Sequence, residues 1–335
     1  NRGAFSTDYI GASWDYPEAT YERRAQIWQA HIDYTAGLFH FSNTDTYLVY
    51  FDYFPGFGIT DGRNDFTRFG SSTKTKGYAA FLDMTYEITP QLYLTAGGRY
   101  AHDQVNGAYW IEPFSYPVRN YVKDVNPAAY KAVRKDHFTP RAVIRYKPND
   151  QTSIYASFTK GYKAGLLDVG GGRGNYVKPE KITAYEAGFK YDNRRVSAEI
   201  SGFYYDYKDL QVSLYKTGQA QILNAASSEI YGIDAQFRFE ITDSFTLNAG
   251  GAWVHARYKR FENAPVYVHC LDANPNPFDP VTGCGINTFL IPEGRTLRNS
   301  TMQRTPEFTG NIGARYAADL AGGELVLSGN LFYSS

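Results

Sequence analysis

The chain has 335 residues, with 34 basic and 34 acidic side chains and a formal net charge of +0, so it lacks the basic excess or stripe of a nucleic-acid binder. Aromatic residues make up 17% of it, with 30 Tyr and 22 Phe beside 31 Gly, a mixture that favours strands joined by turns. No run of roughly 18 apolar residues occurs, which excludes a membrane-spanning helix, and a mean hydropathy of -0.45 fits strands that alternate lipid-facing and water-facing side chains.

Period-two alternation predicts about twelve strands. The first two fall near 24–31 and 35–43. The next two lie near 75–87 and 91–104, where Leu92, Leu94, Ala96 and Tyr100 oppose Gln91, Thr95 and Arg99. Near 137–147 and 151–160 a further pair sets Ile154, Ala156 and Phe158 against Ser153, Ser157 and Thr159. Strands near 181–192 and 195–207 follow, with Val196, Ala198, Ile200 and Tyr204 opposite Arg195, Ser197, Glu199 and Ser201. The split is complete near 229–241. There Tyr231, Ile233, Ala235, Phe237 and Phe239 share one face, and Gly232, Asp234, Gln236, Arg238 and Glu240 share the other. The last three lie near 245–258, 305–317 and 323–333. In a helix these patterns would scatter polar groups around the whole surface.

Most of these strands run about 10 to 13 residues, the length a tilted strand needs to cross a bilayer. After the first pair, short turns at Ile88–Pro90, Pro148–Asp150, Asp192–Arg194 and Thr242–Ser244 alternate with long segments at 105–136, 161–180, 208–228 and 259–304. That asymmetry belongs to outer-membrane barrels, with short turns toward the periplasm and long loops outside. Asp83, Arg99, Arg141, Arg145, Glu186, Lys190, Glu199, Asp234, Arg238 and Arg315 all fall on the polar face. Charges of both signs there call for a wide, wet or plugged bore, as in transporters of about 22 strands. Phe203, Tyr204, Tyr205, Tyr207, Trp253 and Tyr258 gather at strand ends, where amphipathic rings suit a lipid–water boundary.

Cys270 and Cys284 lie in one segment rich in Pro, Asn, Asp and Gly. A loop-closing disulfide in an oxidising compartment fits so polar a stretch better than two buried free thiols. A metal site would want more Cys or His than the nearby His269 supplies. Gly170–Asn175 lacks the Lys-Ser/Thr and helix of a phosphate cradle and reads as a loop. His31, His40, His102, His137, His255 and His269 show no Ser or Asp pattern that would make a catalytic site, so no enzyme is expected.

Several stretches carry a family resemblance. "FTPRAVIRYKPNDQTSIYASFTKGYKAG" from Phe138 looks like a "TP" strand, a short turn and a "YASF.KGY.AG" return. "VKPEKITAYEAGFKYDNRRVSAEISGFYYDYKDLQV" is similar to a "PE....YE.G.K" strand with its "FY.DY.D.Q" partner. "SEIYGIDAQFRFEITDSFTLNAGGAWVHARY" and "YAAFLDMTYEITPQLYLTAGGRYAHD" add two further hairpins. Together they resemble the barrel domain of the TonB-dependent outer-membrane receptors over most of residues 75–333. The chain shows no plug domain and no TonB-contacting segment, and twelve strands leave about ten to be supplied. The expectation is therefore one all-β transmembrane barrel domain over 1–335, part of a longer receptor.

The resemblance implies a multi-pass protein of a Gram-negative outer membrane that takes up a scarce bulky nutrient, most often an iron–siderophore complex. Cobalamin, haem and oligosaccharides are alternative cargoes, and a passive porin-like channel is the alternative mechanism. Implied partners are outer-membrane lipid and lipopolysaccharide, the TonB–ExbB–ExbD energising complex acting through a plug region, and a small-molecule cargo. No nucleic acid, resident cofactor or metal is expected. Candidate cargo contacts are loop residues with aromatic or cationic side chains: Tyr109, Trp110, Arg119, Tyr121, Lys163, Arg173 and Tyr176. Such side chains offer wide contact area and donors to an anionic or catecholate ligand.

Overall fold

A computed structural model describes residues 19–27, 32–51, 67–115, 120–121, 124–125, 132–168, 175–216, 219–224, 227–264, 267–269, 288–290, 295–320 and 322–335. Twelve long strands run in sequence order: β1 Ala19–Ile27, β2 Ile32–Phe51, β3 Thr67–Thr89, β4 Leu92–Ser115, β5 Val133–Asn149 and β6 Thr152–Lys163, then β7 Glu180–Asp192, β8 Val196–Lys208, β9 Ser227–Thr242, β10 Phe245–Ala264, β11 Phe308–Leu320 and β12 Gly323–Ser334. Each pairs antiparallel with its sequence neighbours, which gives one up-and-down sheet. Four short strands append to it: Asn120–Tyr121 and Asp124–Val125 on β4, and Arg295–Leu297 and Ser300–Thr301 on β10. Among the described residues no helix is long and apolar enough to cross a membrane.

The short connections fold for local reasons. Thr89 Oγ1 accepts from the Leu92 backbone N–H at 3.1 Å, Asn193 Oδ1 from Val196 at 2.7 Å, and Thr242 Oγ1 from Phe245 at 3.0 Å. Side-chain oxygens of this kind replace the backbone pairing that a tight turn gives up. The other connections leave and re-enter the sheet at its opposite end, as where β2 stops at Phe51 and β3 begins at Thr67.

Several strands are longer than alternation predicts. β1 begins at Ala19 where 24–31 was expected, and β2, β3 and β4 each extend past the predicted ends, β4 as far as Ser115. The expected loop 105–136 is correspondingly shorter. Tyr109 and Trp110 stand in β4, paired with Ser71 and Gly70 of β3. The pairing persists because a strand can project beyond the bilayer into water, where its alternation no longer separates apolar from polar.

Register sets the two faces. Leu38, Ala80, Tyr100 and Phe138 form one cross-strand row, as do Ala198, Phe237, Ala249 and Ile312. Along this face Leu82, Leu94, Ile144, Phe189, Ile200, Ile233 and Ile312 are exposed, an apolar belt with no second layer against it. Aromatic residues bound the belt at both ends, eight residues apart on the same strand: Tyr78 and Tyr86, Phe138 and Tyr146, Trp253 and Phe245, Phe308 and Tyr316. Eight residues at about 3.4 Å each make about 27 Å of strand, and a tilt of about 40° leaves about 20 Å along the membrane normal, near the height of an outer-membrane apolar band.

The opposite face carries the polar set. Asp83, Arg99, Arg141, Arg145, Glu186, Lys190, Glu199, Asp234, Arg238 and Arg315 all alternate onto it, as the sequence predicts. The strand-end aromatics divide. Tyr204 and Trp253 lie on the lipid face, but Phe203, Tyr205, Tyr207 and Tyr258 do not. Phe203 and Tyr205 stack at 4.9 Å on the inner side, and Tyr258 is buried against Phe261 and Ala264. Adjacent residues in a strand point to opposite faces, so a run of aromatics cannot all be boundary anchors.

Candidate functional site

Elementary charge pairing organises the inner wall. Arg141 Nη1 donates to Asp83 at 2.7 Å across β5 and β3, and Lys190 pairs with Glu199 directly opposite it. Arg315 lies 3.6 Å from Glu324. These groups are half-exposed to the bore, where each pair contributes little stability and leaves the wall wet and polar. Cations also lie over rings: Arg145 sits 4.9 Å from the Tyr93 centroid and Arg99 5.5 Å from that of Phe39.

Tyr155 crosses from β6 over β7 and donates to Glu186 Oε1 at 2.6 Å. It can do so because Gly188 lies beneath it. A Cβ at Gly188 would stand 2.6 Å from the ring and hydroxyl of Tyr155. Gly188→Leu is therefore expected to swing the phenol away, lose its bond to Glu186 and cost about 1 kcal/mol. Urea titration of the refolded full-length receptor reads this cost, and adding Tyr155→Ala should remove the difference made by the leucine.

At the long-loop end the segment after β6 folds inward. Strands Leu166–Asp168 and Asn175–Val177 pair with each other, and Leu167 and Val177 are buried, as are Ala101 and Val105 of β4. Gly107 admits this packing, since a Cβ there would stand 2.7 Å from Leu167 Cδ1. Below it, Tyr162 donates to Asp103 Oδ2 at 2.8 Å and stacks on His137 at 3.9 Å. Burial, with the Asp103 carboxylate nearby, pushes the Tyr176 phenol up from its ordinary value, so it remains a donor at neutral pH.

The hairpin Gln211–Lys216 with Gln219–Asn224 is stitched to that segment. Asn224 Oδ1 accepts from the Lys178 N–H at 2.7 Å, while its Nδ2 donates to the Lys178 and Asp209 carbonyls at 2.9 and 2.8 Å. Gln211 Nε2 donates to the Ala164 and Lys178 carbonyls, and Ile222 N–H donates to Asp168. Asp209 takes the left-handed backbone, φ 55°, that lets the chain leave β8 at this point. The described parts of the loops expected at 161–180 and 208–228 thus form one knot.

Of the predicted contacts, Lys163 is exposed at the end of β6 and Tyr176 lies half-buried in the knot. Tyr109, Trp110 and Tyr121 are placed by their backbones alone, and Arg119, Arg173, Cys270 and Cys284 lie outside the described residues. Asn224, Gln211, Asp103 and Tyr162 were not singled out from sequence, because amides and carboxylates in turn-rich loops carry no periodic signal. Among the described residues no group of His, Cys, Asp and Glu is arranged to hold a metal ion.

An antiparallel sheet with an apolar belt between aromatic girdles, a charged inner wall and long loops at one end defines a transmembrane β-barrel with a polar bore. The family model "TonB dependent receptor-like, beta-barrel" matches residues 1–335. The chain belongs to that family, one of transport receptors. It is 23% identical over 216 residues to the pesticin receptor of Yersinia enterocolitica, a match covering 64% of this chain and 30% of that protein. Among solved structures, the ferric preacinetobactin receptor BauA of Acinetobacter baumannii superposes with a TM-score of 0.57 at 16% identity, over 95% of this chain and 43% of that one. The ferric yersiniabactin uptake receptor FyuA of Yersinia pestis gives 0.56 at 14%, over 92% and 44%. The chain thus spans under half the length of each of these three receptors.

Proposed function

We propose that this chain is part of a TonB-dependent receptor of a Gram-negative outer membrane that imports a ferric siderophore. Family membership supports the transport mechanism, and the relatives named as ferric-siderophore receptors support the cargo class. The loop knot is the observation that carries the site. Tyr176 and Tyr162 lie near Asp103, and Tyr162 also near Arg99, toward the long-loop end of the bore, a set of phenols and a cation suited to an oxygen-rich anionic chelate. Further strands belong to the same reading, since among the described residues β1 and β12 each have one sheet neighbour and lipid tolerates no unpaired edge, and family membership supports a plug. TonB–ExbB–ExbD acts through that plug.

Uptake of radioactive iron by cells with and without the intact receptor tests the proposal. Loss of the receptor should abolish import of one ferric siderophore, and collapse of the proton gradient should do the same. Import that survives the collapse marks a passive channel. Import of iron unaffected by receptor loss, with cobalamin, haem or oligosaccharide uptake abolished instead, overturns the siderophore assignment.

A further inference from the structure

Below the loop knot, the inner face of β8 carries a run of aromatic side chains. Tyr207, Tyr205 and Phe203 alternate onto it, in rows with Ile182, Ala184 and Glu186 of β7 and with Ser228, Ile230 and Gly232 of β9. Ser201 takes the next row, and Tyr155, which reaches over Gly188 from β6, supplies the ring there. Alternate residues lie about 7 Å apart along a strand, so the line of rings from the Ser201 row to Tyr207 is about 20 Å long. Its upper end meets the knot. Ile182, opposite Tyr207, follows closely on Glu180, whose Oε2 accepts from the Gln211 N–H at 3.0 Å. Its lower end meets the charged wall, where Lys190 Nζ stands 5.7 Å from the Tyr155 centroid.

These rings follow the wall. A Cβ at Gly232 would stand 2.9 Å from Phe203 Cζ, and Tyr155 occupies the matching space over Gly188. Phe203 stacks on Tyr205 at 4.9 Å with 23° between the planes. Glycine thus gives two of the rings a place close to the backbone of the neighbouring strand, where a larger residue would push them out into the bore. Side chains that interlock with a packed neighbour stand out as knobs with holes between them. Rings laid along glycines offer neither. All three β8 rings are half-buried, and among the described residues the Tyr205 and Tyr207 hydroxyls have no hydrogen-bond partner.

A line of uncharged rings with free hydroxyls, reaching from the knot into the bore, suits a cargo that itself carries planar rings. Ring pairs attract in offset-stacked or edge-to-face geometry, each pair weakly. A path that must release what it takes up needs several weak sites in series, not one strong one. We propose that Tyr207, Tyr205, Phe203 and Tyr155 form a stacking track that the aromatic rings of a catecholate or phenolate siderophore follow down the bore, an inference that rests on the siderophore import proposed above. The knot receives the chelate, and the track passes it along the wall toward the periplasm.

The test compares surface binding with uptake in cells carrying the full-length receptor. The probes are radioactive ferric enterobactin (a catecholate), ferric pyochelin (a phenolate) and ferrioxamine B (a hydroxamate with no aromatic ring). The wild type should import at least one of the ring-bearing chelates. Phe203→Leu with Tyr205→Leu should leave its surface affinity, measured after collapse of the proton gradient, within about twofold and lower the saturated rate of uptake by at least about tenfold. Phe203→Tyr with Tyr205→Phe keeps both rings and should keep the rate within about twofold. Tyr205→Leu alone should give an intermediate loss if the double change prevents folding. Uptake at the wild-type rate in the double-leucine receptor overturns the track, as does equal loss in the ring-keeping variant. Entry of vancomycin through the double-leucine receptor marks the rings as a seat for the plug and overturns it too. Import of ferrioxamine B alone by the wild type overturns the ring assignment. A wild type that imports cobalamin, haem or oligosaccharide in place of any ferric chelate overturns the siderophore reading itself, a result distinct from the others.

Discussion

Phe237→Arg in the full-length receptor is expected to weaken folding into lipid by about 2–4 kcal/mol, while Gln236→Arg is tolerated. The two residues are neighbours on β9 and differ in the face they occupy. Phe237 lies in a row with Ala198, Ala249 and Ile312, and its ring stacks 6.1 Å from that of Phe239. That row sits between the aromatic girdles, so a guanidinium there is drawn out of water near the middle of the hydrocarbon. Gln236 pairs in register with Glu199, which faces Lys190 across the neighbouring strand. An arginine at 236 would enter a wet wall beside a carboxylate. Urea titration of each variant in lipid vesicles, with migration of unheated samples on gels as a check of folding, measures the difference. Equal tolerance at both positions would remove the case for a lipid-facing belt.

The fold was legible wherever one face met lipid. Between the girdles the chemistry of alternate residues differs sharply, and the complete split at Tyr231–Glu240 carried straight into the observed register. Outside the girdles both faces meet water, and the signal fades while the hydrogen-bonded ladder continues. That is why β4 runs on through Val105–Ser115 although its alternation stops being readable there. Tyr258 stands an odd number of residues from Trp253 in unbroken register, so alternation puts the two on opposite faces, and grouping aromatics by their place at a strand end ignored that parity. The site was legible only as composition. Tyr and cationic residues in long loops suggested binding, but the bonds that shape the knot come from Asn224 and Gln211, whose partners are backbone groups 46 and 47 residues away.

Asn224→Leu follows from that last point as the variant with the largest effect on binding. The amide makes three hydrogen bonds, at 2.7, 2.9 and 2.8 Å, to the backbone at Lys178 and Asp209. Leucine is close to it in size but makes none of them, so the Asp209 carbonyl and the Lys178 N–H lose this partner, while the Lys178 carbonyl keeps only its bond from Gln211. The local cost is about 1–3 kcal/mol, and the barrel strands beneath, held by their own ladders, should keep their stability. Hydrogen exchange should therefore speed up in Asn175–Glu180 and Asp209–Gln211 while β7 and β8 remain protected. A cargo that needs the knot in place must then supply the ordering free energy itself, which weakens its binding by about 5- to 150-fold. Gln211→Ala removes two donated bonds and should act in the same direction with a smaller effect. If exchange in both segments stays at the wild-type rate, the stitching is not what orders these loops, and any change in affinity must come from a direct contact at residue 224.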